Sequence, residues 1–227
     1  MPNVVIDTSV SLPATLSPTG VRRRFWVMLA LGALNYEVEH GRLELNALTA
    51  QAEQEGGSVG GIDKAIARLE LANDRRAALL ERLPYGTPED WVAIGSRPLF
   101  GEYERKLREI GTKLNPALRE ADIPRLRRQL EAVCVIAAPP FQDADVSTLT
   151  ADPKDDPILY TALIGDADLL ISGDKHLVPN REQELWEHDG HTVLALTFDT
   201  LLADRLSEVD WDQIDGSWLA LAHDQPD

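Results

Sequence analysis

One cysteine is too few for a disulfide within the chain and too few for a thiolate zinc site. That residue, Cys134, stands in Ala132-Val133-Cys134-Val135-Ile136 and reads as a buried strand thiol. Long apolar runs are also missing. The longest, Phe25 to Leu34, is too short to span a bilayer. The opening MPNVVID lacks a basic stretch followed by a signal-like apolar segment, so the expectation is a cytoplasmic protein with no membrane partner. Internal repeats and low-complexity segments are absent. Basic residues are scarce: 22 Lys and Arg face 38 Asp and Glu, a formal charge of −16. Polyanion binders ordinarily carry a basic footprint, so this balance counts against simple electrostatic binding of nucleic acid. Three clusters run against the trend: Arg22-Arg23-Arg24, Arg105-Lys106 with Arg108, and Arg125 with Arg127-Arg128. Each reads first as a solvated helix face.

What is present suits an α/β protein. The 227 residues, 44% hydrophobic, can build one domain with an insertion or two small ones. Asn3-Val4-Val5-Ile6-Asp7-Thr8-Ser9 reads as a short buried strand with an acid at its carboxyl end. Residues 13–20 are rich in Pro, Ser and Thr and read as a loop. A helix is expected over 21–39, with Gly32 counting against it. Residues 40–85 delay the second strand and read as a helical insertion. Within it, 45–55 is helical, Gly56-Gly57 and Gly60-Gly61 break it, and 62–83 carries a strong apolar stripe. A second strand begins at Trp91. Helices follow over 99–110 and 123–130, and a third strand over 132–137 is closed by Pro139-Pro140. Residues 141–150 form an irregular acidic approach, the last strand is 191–196, and a helix covers 198–206. The tail from Ser207 is acidic and carries Trp211 and Trp218. Alternating strands and helices imply a mostly parallel sheet with helices on both faces.

The stretch that organises the rest is 151–177, ADPKDDPILYTALIGDADLLISGDKHL. Asp155, Asp156 and Pro157 sit at a helix start, where an Asp can cap and Pro loses nothing. Ile158, Leu159, Ala162 and Leu163 share one helical face, and Gly165 is a stop. Leu169-Leu170-Ile171 is a buried strand ended by Ser172-Gly173-Asp174. Acids therefore stand at a helix start and at two strand ends, positions that an open α/β sheet gathers in one crevice.

VVIDTSV, PLFGEYERKL and DPKDDPILYTALIGDADLLISGDKHL together resemble the signature of PIN-domain nucleases, and within them the branch of toxins from bacterial toxin–antitoxin pairs. The motifs cover residues 1–20 and about 88–200. The resemblance implies a three-layer α/β/α fold with a central parallel sheet in the order 3-2-1-4-5. It implies a single nuclease domain over 1–206, with the helical insertion at about 40–85 and an acidic tail over 207–227. It also implies that Asp7, Glu102, Asp155 and Asp174 are the metal-binding and catalytic acids. Asp156 competes with Asp155. The family's acid stands three residues before the helix's first aliphatic residue, here Ile158, which favours Asp155. Thr8, Ser9 and Ser172 are supporting residues, able to bond ligands or phosphate oxygens.

Crowded carboxylates need a shared cation. A hard oxygen set without Cys favours Mg²⁺ or Mn²⁺. The activity that the resemblance implies is metal-dependent hydrolysis of RNA to 5′-phosphate and 3′-hydroxyl ends. The expected partners are an RNA substrate, a cognate antitoxin and a second copy of the chain. Glu102 is expected to bind a second ion or position water. Each acid also has a plain structural role open to it: a cap for Asp155, a turn for Asp174, solvated positions for Asp7 and Glu102. His176 reads as a surface-loop residue, and Asp152, Asp156 and Asp168 as outer or solvent-facing acids. A phosphatase with a strand-end nucleophile fits poorly, because Ser9 occupies the place where its second acid belongs. A non-catalytic binding module that keeps the fold is the remaining alternative.

Overall fold

The computed structural model describes residues 2–17, 20–55, 61–84, 87–88, 90–136 and 149–215. Among the described residues, strands and helices follow the order β1 (Asn3–Ile6), α1 (Thr8–Leu16), α2 (Val21–Glu55), α3 (Ile62–Leu80), β2 (Val92–Gly95), α4 (Arg97–Leu114), α5 (Ile123–Ala132), β3 (Cys134–Ile136), α6 (Asp156–Ile164), β4 (Leu169–Ile171), β5 (Gln183–His188), β6 (His191–Leu196) and α7 (Phe198–Arg205). The expected Pro139-Pro140 stop, residues 141–148 of the acidic approach and the tail beyond 215 lie outside the described residues.

The chain is α/β, with a six-stranded mixed sheet in the order β3-β2-β1-β4-β6-β5. Neighbours pair in parallel except β5, which runs antiparallel to β6 from Gln183 opposite Leu196 to His188 opposite His191. This corrects the five-stranded order 3-2-1-4-5. The segment 191–196 does lie beside β4, but as the sixth strand, and an unforeseen edge strand precedes it. The two form a hairpin through Asp189-Gly190, whose φ values of 48° and 83° suit a two-residue turn that matches strand twist.

Alternation along the strands sends side chains to two apolar clusters, one on each face. Val4, Ile6, Ala93, Leu169 and Ile171 join one cluster. Val5, Ile94, Leu170 and Ala195 join the other. The first includes Leu12 of α1, Phe25 of α2, Tyr103 of α4, Leu126 of α5 and Leu201 of α7. The second is closed by Ile158, Leu159 and Ala162 of α6. Each large side chain buried this way contributes roughly 1.5–3 kcal/mol before entropy is counted.

Two local readings are corrected. Residues 13–16 are the end of α1, not loop. Pro13 lies inside that helix, yet Val10, Leu12 and Ala14 are buried, so tertiary packing overrides a poor local propensity. Second, α2 is one continuous helix of 35 residues rather than two. Its later half packs against α3 as an antiparallel hairpin: Arg76 donates to Asn35, and Arg68 approaches Glu44 at 3.8 Å. Gly32 is what lets α2 pass the sheet. A Cβ there would stand 1.6 Å from the carbonyl oxygen of Trp91. Cys134 lies in β3 and, although the residue is half-buried, its thiol is buried as expected, which pushes the pKa up to about 12. The tail's first residues dock on α2: Trp211 meets Phe25 edge-on at 6.4 Å, and Asp212 pairs with Arg24 at 2.6 Å.

Candidate functional site

In this strand order β1 lies between β2 and β4, and successive connections leave it in opposite directions. The crevice outside the carboxyl ends of β1 and β4 is therefore the switch point where α/β sheets place ligands. Asp7 leaves β1 there, its backbone N–H held by the Ile171 carbonyl at 2.9 Å. It occupies the cap position of α1, but its side chain makes no capping bond. The residue is only 3% exposed, and its carboxylate instead accepts three hydroxyls. Thr8 donates at 3.1 Å, Ser9 at 2.5 Å and Ser172 at 2.7 Å. The two serines work twice. Ser9 Oγ accepts the Gly173 N–H, and Ser172 Oγ accepts the Asp174 N–H, each at 2.9 Å. The three supporting residues expected from sequence therefore bind the carboxylate of Asp7, and two of them clasp the end of β1 to the turn after β4.

Asp174 begins that turn. Its Oδ1 accepts the His176 N–H at 2.8 Å, a local bond that folds the imidazole back toward the acids. His176 Nδ1 then lies 3.2 Å from Asp155, 3.5 Å from Asp174 and 3.9 Å from Asp152. Asp155 caps α6 by position, yet it too makes no side-chain capping bond. Its carboxyl pKa is pushed up to about 6, first by burial, then by the charges of Asp174 and Asp7; the His176 bond pulls the other way.

Asp156 is settled by its surroundings. It is buried and accepts both the backbone N–H and the hydroxyl of Thr150, each at 2.7 Å. It holds the approach to α6, which leaves Asp155 as the acid that faces the crevice. Asp168 stands at the opposite, amino end of β4, where it accepts the Asn3 N–H at 2.7 Å. Glu102 lies in α4. Its carboxylate is held within α4 by Arg105 at 2.7 Å, with Lys106 at 3.9 Å. Among the described residues no hydrogen bond or ion pair joins it to Asp7, Asp155 or Asp174.

Two residues that sequence reasoning set aside, Asp152 and His176, belong to the cluster. Ligand atoms of Asp152, Asp155 and His176 lie within 4.8 Å of one another, a spacing one cation can share. The signal for His176 was its place two residues after Asp174, where an Asp-led turn returns the chain. Asp152 carried no such signal.

Beside the cluster opens a cavity of about 730 Å³, whose wall includes Asp174, His176, Arg22, Arg181 and Thr200. Among the described residues no helix is long and apolar enough to cross a membrane. No protein-family model, curated protein or solved structure matches this chain.

Proposed function

We propose that the chain is a divalent-cation-dependent ribonuclease of the PIN type, its sheet the middle layer of an α/β/α fold, hydrolysing RNA phosphodiester bonds beside Asp7, Asp155 and Asp174. The observation that carries this reading is the convergence of three carboxylates from separate segments, with the Asp155 pKa raised to about 6 first by burial and then by the charges of Asp174 and Asp7. Acids so placed favour a shared cation over their own mutual repulsion. The donor set fits one. Asp7, Asp155 and Asp174 would hold Mg²⁺ or Mn²⁺ through oxygen, and the imidazole of His176 adds a nitrogen donor that favours Mn²⁺.

Such an ion, when bound, offsets the charge of a phosphate and makes a nearby water more acidic. The chain's own residues supply the rest. Ser9, Ser172 and Thr8 fix the rotamer of Asp7, so its carboxylate needs no reordering when substrate arrives. The turn at Asp174 sets its carboxylate and His176 together. The amino ends of α1 and α6 begin at Asp7 and Asp155, and their positive dipole ends favour an incoming phosphate. Glu102, paired with Arg105, would bind a second ion or position water, the role the motif resemblance implies for it.

The role as toxin of a toxin–antitoxin pair rests on the motif resemblance. Inducing the chain in a bacterial host should arrest growth, and co-producing a cognate antitoxin should release it. The direct test of the chemistry is cleavage of a mixed single-stranded RNA pool in Mg²⁺, Mn²⁺ or EDTA, with Asp7→Asn prepared identically. Cutting that requires metal and disappears in the variant supports the reading. Cutting that survives in Asp7→Asn places the activity elsewhere. No cutting and no cation binding leaves a non-catalytic binding module.

A further inference from the structure

The chain is strongly acidic, yet one wall of the cavity beside Asp174 is not. Arg22, Lys175 and Arg181 all line it. Five other arginines, Arg24, Arg42, Arg105, Arg108 and Arg127, each sit in an ion pair shorter than 3 Å. The three cavity cations enter no ion pair among the described residues, although Asp199 shares the wall. In a protein of charge −16, three unneutralised cations gather on one wall of the open volume next to the carboxylates.

Two of these positions, Arg22 and Arg181, are built rather than incidental. Arg22 stands in the first turn of α2 with its guanidinium 5.4 Å from the centre of the Phe198 ring. Its Nε is buried and has no hydrogen-bond partner, a donor that a ligand oxygen could satisfy. Arg181 is held in a left-handed backbone conformation, φ 61°, which a non-glycine residue adopts at a cost. The turn is pinned by the Arg181 N–H on the Val178 carbonyl at 3.0 Å and by the Asn180 side chain, which accepts from Glu182 and Gln183. Thr200, in the first turn of α7, adds a hydroxyl to the same wall.

We infer that this cavity is a phosphate subsite: Arg22, Lys175 and Arg181 hold the backbone phosphate of a nucleotide next to the bond at the carboxylate cluster. This rests on the nuclease reading for the identity of the strand, a single-stranded polynucleotide. The cavity's volume is that of a typical ligand site, and its wall runs continuously into Asp174 and His176. A strand crossing from cavity to cluster meets cations at one phosphate and carboxylates at the next. The arrangement eases the composition problem, because three cations gather on one wall beside the carboxylates. It also gives Arg22, first of the three consecutive arginines, a task beyond a solvated helix face.

The test uses the full chain carrying Asp7→Asn, so that binding is read without cleavage. A labelled single-stranded RNA 12-mer is titrated in Mn²⁺ over a range of KCl. Arg181→Gly and Arg22→Gln should each weaken binding by about tenfold and flatten the salt dependence by about 0.7 in the logarithmic slope. Arg42→Gln, on the hairpin and paired with Glu39, should change neither. Arg181→Gly also relieves the left-handed strain, so its melting temperature should hold or rise while affinity falls. Unchanged affinity and slope in both cavity variants overturn the inference, as does an Asp7→Asn protein that binds no RNA. Cleavage by the wild-type chain is scored separately. Cleavage with normal binding in the cavity variants sinks the subsite alone, and cavity-dependent binding without cleavage sinks the nuclease reading alone.

Discussion

Ser172 donates its hydroxyl to the Asp7 carboxylate at 2.7 Å, joining residues 165 positions apart in the chain. The same oxygen accepts the N–H of Asp174, so one side chain sets the positions of two candidate ligands. Removing it as Ser172→Ala leaves a buried carboxylate with one donor fewer and a backbone N–H without its partner. The expected loss is about 1–3 kcal/mol of stability by urea unfolding, with weaker cation binding in parallel. Unfolding at the wild-type midpoint would show that the clasp contributes nothing.

Asp155 makes the metal-free protein pH-sensitive. Its folded pKa, about 6, lies above the ordinary carboxylate value, so between roughly pH 4 and 6 the folded chain binds more protons than the unfolded one. The resulting stability is fully present below the unfolded pKa and is lost as pH rises through about 6. In EDTA at pH 7.5, Asp155→Asn should therefore be more stable than wild type by about 1–2 kcal/mol, a value discounted for partial solvent screening. The difference should close near pH 4. Melting curves at the two pH values read it directly, and no capping bond is lost in the substitution.

His176 sets the preference among cations. Its Nδ1 lies within 4 Å of three carboxylates, and a nitrogen donor favours Mn²⁺ over the harder Mg²⁺. His176→Ala should weaken Mn²⁺ by about tenfold and Mg²⁺ by much less. Equal losses for both ions in calorimetry would assign His176 to turn structure only.

Gly32 tests the fold rather than the site. A methyl group in Gly32→Ala would have to occupy space already filled by the Trp91 backbone. Thermal unfolding should show a loss of about 3 kcal/mol or more, since neither α2 nor the start of β2 can yield cheaply.

Much of this architecture is legible in the chain because short apolar runs end in acids or in a Gly-Ser turn. VVIDTS, VAIGS and LLISGD become β1, β2 and β4, and the Asp155-Asp156-Pro157 start of α6 follows from capping and proline rules. What was not legible depends on tertiary contacts. Pro13 reads as a breaker, and only burial of α1 among other helices makes it helical. Gly32 reads as a weakness in α2, although it is a requirement of close packing. The polar strand β5 has no apolar run, and its one signal was the hairpin dipeptide Asp189-Gly190. Asp155 and Asp156 are equivalent by spacing, and Thr150, which engages Asp156, separates them. Glu102 follows from motif position alone, and its Arg105 pair could not be weighed against the crevice without coordinates.

The central claim is that Asp7, Asp155 and Asp174 share a cation. Calorimetric titration of Mn²⁺ into the wild-type chain, Asp155→Asn, Asp174→Asn and Glu102→Gln tests it most directly. The account predicts saturable binding in wild type, loss of about tenfold or more in each Asp variant, and near wild-type affinity in Glu102→Gln. No binding by the wild-type chain, or binding that survives both Asp substitutions, would contradict it.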